Sequence, residues 1–180
     1  MSRVFAVISA IGADRVGIVD ELSGLISEAG GNVEESKMAV LGGDFSVMML
    51  ISLEQKALES LLSRIGEMEK GLGLKVGITP TKETALRADG RPYSLETVSL
   101  DGRGILHAVS AILHHHGVNI EELETSTEGA PLTGAPLFRL RASIVLGAGV
   151  HVAALRSELE ALENARELDI SLTPLVPSRD

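Results

Sequence analysis

The 180-residue chain contains no cysteine and only four aromatic side chains, Phe5, Phe45, Tyr93 and Phe138. Absence of cysteine excludes disulfides, thiolate metal ligands and thiolate nucleophiles, and fits a reducing compartment. So few aromatics exclude a platform on which nucleobases could stack. Cations are scarce: 16 Lys and Arg stand against 25 Asp and Glu, for a net charge of −9. Affinity for a phosphate backbone needs clustered cations that displace counterions, so direct nucleic-acid binding is not expected. No apolar run approaches the roughly 20 residues that span a bilayer. The N-terminus lacks a charged segment followed by a long apolar one, so no signal peptide is expected either. These absences predict a soluble, acidic, cytoplasmic protein that contacts neither membrane nor nucleic acid.

What the sequence does have is an internal repeat. Adding 87 to Asp14-Arg15-Val16-Gly17-Ile18-Val19 gives Asp101-Gly102-Arg103-Gly104-Ile105-Leu106. The same offset carries Gly30-Gly31-Asn32-Val33-Glu34-Glu35 onto Gly117-Val118-Asn119-Ile120-Glu121-Glu122. Beyond Glu122 the register slips by six across a turn-rich stretch, Glu128 to Pro136, and Phe45 falls on Phe138. The repeat predicts two domains, 1–82 and 92–180, joined by a polar linker over 83–91. Each half is acidic. Residues 1–90 carry 9 basic and 13 acidic groups and residues 91–180 carry 7 and 12, so neither hides a basic face.

Periodicity orders the elements of each copy. Val4 to Ile11 is a nearly continuous apolar run, as expected of a strand buried on both faces. Ile18, Val19, Leu22, Leu25, Ile26 and Ala29 recur at helical spacing, with Asp14 placed as an N-cap and Gly30-Gly31 as the stop. Asn32 to Val40 reads as an edge strand, Gly42-Gly43-Asp44 as a hairpin turn, and Phe45 to Ile51 as a second apolar strand. A single helix carrying Leu58, Leu61, Leu62, Ile65 and Met68 follows, and then a strand through Leu74, Val76 and Ile78. The order β-α-β-β-α-β predicts an α+β, ferredoxin-like fold, with helices on one face of an antiparallel sheet whose first and third strands are central.

No catalytic signature is present: no nucleophile elbow, no phosphate-cradling loop, no His-Glu-x-x-His. Gly12 to Gly17 lacks the spacing of a dinucleotide fingerprint. His114-His115-His116 invites a metal, but consecutive helical residues point about 100° apart and should not converge on one ion. Histidines near a helix C-terminus have a simpler role in answering the helix dipole. Neither a metal site nor a cofactor is therefore expected.

The stronger candidate is the first strand-to-helix junction. Asp14 serves there as a cap or as part of a site. Exposed N–H groups at a helix start can receive a carboxylate, loop carbonyls or Asn32 an ammonium, and Arg15 further support or mere solvation. That is a minimal kit for an α-amino acid. The candidate ligand-binding residues are Gly12, Ala13, Asp14, Arg15, Gly17, Ile18, Asn32 and Val33. Their second-copy equivalents are Asp101, Gly104, Ile105, Asn119 and Ile120.

At these residues each repeat resembles an ACT domain, a small βαββαβ regulatory module that binds amino acids at domain or subunit interfaces. The stretches Ile8 to Val19 and Gly31 to Ser46, and the tandem layout, are similar to the glycine cleavage system transcriptional repressor family. The resemblance implies a non-enzymatic, homodimeric regulator that responds to glycine or a similar amino acid. It also implies repression through a LysR-type activator and not through direct DNA contact. Val16 stands where that family usually has proline, so the helix start is less rigidly preset. The alternatives are a ligand-independent interaction module whose sheets pair between copies, and an enzyme or metal protein using His107, His114 and His115.

Overall fold

The computed structural model describes residues 3–82, 90–100, 102–130 and 133–175. The chain divides into two compact units, Met1–Ala85 and Leu86–Asp180. The first runs β1 (Arg3–Ala13), α1 (Ile18–Glu28), β2 (Asn32–Leu41), β3 (Asp44–Glu54), α2 (Gln55–Ser63), α3 (Ile65–Leu72) and β4 (Lys75–Thr81). The second runs β5 (Arg91–Ser99), α4 (Ile105–His115), β6 (Asn119–Gly129), β7 (Pro136–Leu146), α5 (Val152–Arg166) and β8 (Asp169–Pro174). Each forms a four-stranded antiparallel sheet, ordered β2-β3-β1-β4 and β6-β7-β5-β8. The first and third strands of each unit are central, as a ferredoxin-like arrangement requires.

The core of the first unit is the helix-facing side of its sheet. Ala6, Ile8 and Ala10 of β1 and Phe45, Val47, Met49 and Ile51 of β3 pack against Ile18, Leu22 and Ile26 of α1 and Leu58, Leu61, Met68 and Leu72 of α2 and α3. Leu95, Leu140, Ala142 and Ile144 take the equivalent places on β5 and β7, under Ile105, Val109, Leu113, Leu155 and Leu159. Burying each side chain of leucine or isoleucine size contributes about 1.5–3 kcal/mol.

Two expectations need correction. β1 is not buried on both faces: Ile11 is 54% exposed, and Met48, across the sheet's other face, 59%. The nearly continuous apolar run therefore serves one covered face and one that its own helices leave open. The second helix of the first unit is also two helices. Arg64, at φ −106° and ψ 8°, leaves helical geometry, and its carbonyl then accepts from the N–H groups of both Glu67 and Met68 to start α3. The second unit has one uninterrupted helix there, α5.

Tight turns close both first helices in the same way. After α1, Gly30 (φ 75°) donates to the Ser27 carbonyl and Gly31 to Ile26. After α4, Gly117 (φ 67°) donates to His114 and Val118 to Leu113. This paired closure needs a left-handed residue that glycine adopts without steric cost.

Candidate functional site

The end of each sheet where its first strand stops is here called the upper end. In the first unit it gathers the loop from Gly12 to Gly17, the β2–β3 hairpin and the C-terminus of α3. The Asp14 N–H donates to the Gly43 carbonyl at 3.0 Å, tying the loop to the hairpin. Asp14 is not the N-cap expected of it. The helix begins after Gly17, which caps with its backbone at φ 95° and no side-chain hydrogen bond. A left-handed glycine is what lets the chain leave β1 and enter α1 within a few residues. The Gly17 carbonyl accepts from Glu21 N–H at 2.9 Å, so the N–H groups of Ile18, Val19 and Asp20 have no acceptor within the helix. Ile18 itself is buried, whereas Val16 is fully exposed.

Arg15 is partly exposed and already paired within its own chain. Its two terminal nitrogens each lie 2.6 Å from one oxygen of Glu21, and Nη2 also donates to the Leu72 carbonyl at 3.1 Å. The Glu21 bond holds the guanidinium above its ordinary pKa and the carboxylate below its own. Asp20 and Glu21 also place two acidic groups in the first turn of α1. Next to this pair, a groove of about 490 Å³ runs between α1 and α3, with Glu21, Gly24, Arg64, Glu67 and Gly71 in its walls. A side chain at Gly24 or Gly71 would meet no atom within 4 Å, and these two glycines keep the groove open. The sequence reading did not find it; its signal was glycine on the outer faces of both helices.

Strand register separates Asn32 and Val33 from this loop. Asn32 pairs with Ser52 and so does Phe5, whereas Gly12 pairs with Phe45. Asn32 thus lies level with Phe5, seven residues below Gly12, or roughly 24 Å at strand rise. Within one unit the two halves of the expected kit do not meet. Asn32 instead donates to Glu34 Oε1 at 3.1 Å, and the buried Ser52 hydroxyl donates to the same oxygen. The register skips Glu34, which is the bulged residue between Val33 and Glu35, and this turns its carboxylate toward β3. The Ser52 and Asn32 bonds, with the nearby charge of Arg3, hold Glu34 below the usual carboxylate range.

The second unit varies the design. Gly104, at φ 71°, again caps its helix without a side-chain bond, and Ile105 is buried behind it. Asp101 lies outside the described residues. Here the arginine comes from the other partner: Arg166, at the end of α5, donates to the Arg103 carbonyl at 3.2 Å. Loop and helix end are joined in both units, but the donor has changed sides. Asn119 pairs with Val145, level with the lower end, and Ile120 precedes a matching bulge at Glu121. The position matching Ser52 is Val145, and Ser143 lies instead across from Glu122 on the other side of that bulge.

The histidine run also needs correction. His115 and His116 do come together, because the adjacent helix α5 supplies the group between them. Glu158 lies 3.3 Å from His115 Nδ1 through one oxygen and 3.2 Å from His116 Nε2 through the other. The helix ends at His115, and His116 is its capping residue at φ −84° and ψ 3°. His115 uses the ring nitrogen near its backbone and His116 the far one, which reconciles consecutive positions with a shared neighbour. His115, more than His116, holds the Glu158 carboxyl below its usual range. His107 and His114 are exposed and stand outside this group.

Comparison with known proteins bears on both units. The ACT domain family model matches residues 5–79. The glycine cleavage system transcriptional repressor of Escherichia coli (strain K12) is 29% identical over 163 residues, which is 89% of this chain and 85% of that protein. A crystal structure of an unknown protein from Galdieria sulphuraria superposes with a TM-score of 0.81 at 34% identity, over 97% of this chain and all of that one. A solved structure assigned provisionally as a glycine cleavage system transcriptional repressor superposes at 0.70 with 22% identity, over 97% and 99% of the two chains. That last likeness shows the fold alone. Among the described residues no helix is long and apolar enough to cross a membrane.

Proposed function

We propose that this chain, a tandem ACT-domain protein resembling the glycine cleavage system transcriptional repressors, is an amino-acid-responsive regulator that acts on transcription through a partner protein. The carrying observation is the left-handed Gly17 at the start of α1. It starts the helix at an exposed loop beside Arg15, where the first-turn N–H groups of Ile18, Val19 and Asp20 have no helical acceptors. Such groups favour a carboxylate. The ligand is a small α-amino acid, glycine or a close relative, held through Gly12, Ala13, Asp14, Arg15, Gly17 and Ile18, with Gly104 and Ile105 in the second unit.

Asn32 and Val33, with Asn119 and Ile120, sit at the lower ends and serve a ligand held by the loop of another ACT unit. A homodimer provides that arrangement. Domain limits of 1–82 and 92–180, with a linker over 83–91, belong to this reading, as does action in the cytoplasm. A net charge of −9 supports a protein target over DNA, a LysR-type activator being the partner class the resemblance indicates. A ligand changes the regulator's output only if it binds two conformations unequally.

A mobility-shift experiment tests the reading with a LysR-type activator on its operator. The chain alone should shift no DNA, and its effect on the activator complex should change when glycine is added. A shift by the chain alone, or an effect that no amino acid alters, would overturn it.

A second reading, a ligand-independent interaction module, is favoured by one observation. Ile11, Met38 and Met48 line an apolar groove on the open face of the first sheet. Under that reading the oligomeric state and hydrogen exchange stay the same whatever amino acid is added.

A further inference from the structure

We infer that His115, His116 and Glu158 form a binding site for a divalent transition-metal ion of the zinc class. The donor spacing is compatible with a coordination shell. Zinc binds imidazole nitrogen and carboxylate oxygen at about 2.0–2.1 Å, so neighbouring donors in a tetrahedral shell lie about 3.3 Å apart. One oxygen, Glu158 Oε2, lies 3.4 Å from His115 Nδ1 and 3.2 Å from His116 Nε2, and Oε1 lies 3.3 Å from His115 Nδ1. All the donor atoms fall within 4.8 Å of one another.

The burial of His116 adds to this. Its side chain is only 14% exposed, and Nε2 is buried with no hydrogen-bond partner among the described residues. Glu158 Oε2 lies 3.2 Å from that nitrogen, within ion-pair range. A buried imidazole nitrogen that makes no hydrogen bond leaves a desolvation cost unanswered. A metal ion between the two rings would take that lone pair and offset the cost.

Donor chemistry narrows the ion. Two imidazoles and one carboxylate suit zinc, copper, nickel or iron, and not magnesium or calcium, which prefer shells of oxygen. Access comes through His115, whose side chain is 73% exposed, and Glu158, at 42%. Three protein donors leave a fourth tetrahedral position for water or for a donor from a partner. Bound metal would fasten the C-terminus of α4 to the middle of α5, two helices that the second unit otherwise joins mainly through its apolar core.

The test uses the full chain purified without a histidine tag. Calorimetric titration with zinc should show one equivalent bound saturably, with a dissociation constant of about 10 μM or tighter, and cobalt should give the intense visible bands of a tetrahedral centre. Glu158→Gln, which keeps the carboxylate's shape, and His115→Ala, at an exposed position, should each weaken zinc at least tenfold. His114→Ala should leave it unchanged. Circular dichroism confirms that each variant is folded. Absence of stoichiometric zinc, or binding that survives Glu158→Gln and His115→Ala, would overturn the site.

Discussion

Arg15 and Glu21 grip one another with both ends, each terminal guanidinium nitrogen 2.6 Å from its own carboxylate oxygen, while Arg15 also holds the last carbonyl of α3. The cation best placed to receive a ligand's carboxylate is thus already occupied by one from its own chain. An incoming amino acid must share Arg15 or displace Glu21. Glu21→Gln removes the competing charge, and glycine affinity should rise several-fold, measured by calorimetry. An unchanged or weaker affinity would show that Arg15 takes no part in binding.

Gly17 and Gly104 make the same turn in the two units, at φ 95° and 71°. Alanine in a left-handed conformation costs on the order of 1 kcal/mol. Urea unfolding of Gly17→Ala and Gly104→Ala should each show a loss of about that size. By contrast Gly24→Ala, where an added methyl meets nothing, should be neutral or stabilising, since alanine is the better helix former by about 1 kcal/mol.

Asp14 does not cap α1, and its removal should reflect that. A side-chain N-cap replaced by alanine costs about 1 kcal/mol. Asp14→Ala keeps the backbone bond to Gly43 and should change stability by less than about 0.5 kcal/mol. A full capping loss in urea unfolding would restore the side chain to that role.

Glu34 titrates below its ordinary value of 4.5 because Ser52 and Asn32 bond its ionised form. A lowered folded pKa means stability that is fully present above the unfolded value and is lost as pH falls through the folded one. Ser52→Ala should raise the Glu34 midpoint toward 4.5, followed by carbon NMR of the side-chain carboxyl. The difference in stability between wild type and variant should shrink as pH drops below that value.

The repeat made the fold legible. Conserving Asp, two glycines and Asn at a constant offset implies one backbone plan used twice, and the hydrophobic periods supplied its element order. Placement within the site is less legible, because neighbours in sequence need not be neighbours in space. Asn32 follows α1 directly, yet α1 has carried the chain the length of the sheet from Gly17, so Asn32 emerges at the opposite end. That consequence was already implicit in the strand order. The Arg15–Glu21 pair had no comparable signal: six residues apart, it straddles a loop and a helix and fits no helical spacing. Glu158 lies 43 residues beyond His115, and only the packing of α4 beside α5 joins them.

The most direct test of the central claim is calorimetric titration of the intact chain with glycine, serine and the branched-chain amino acids in turn. The account predicts saturable binding of at least one small α-amino acid, weakened in Gly17→Val, where a β-branched residue cannot adopt the turn that exposes the first helical N–H groups. Flat titrations for every one of these amino acids at millimolar concentration would contradict it.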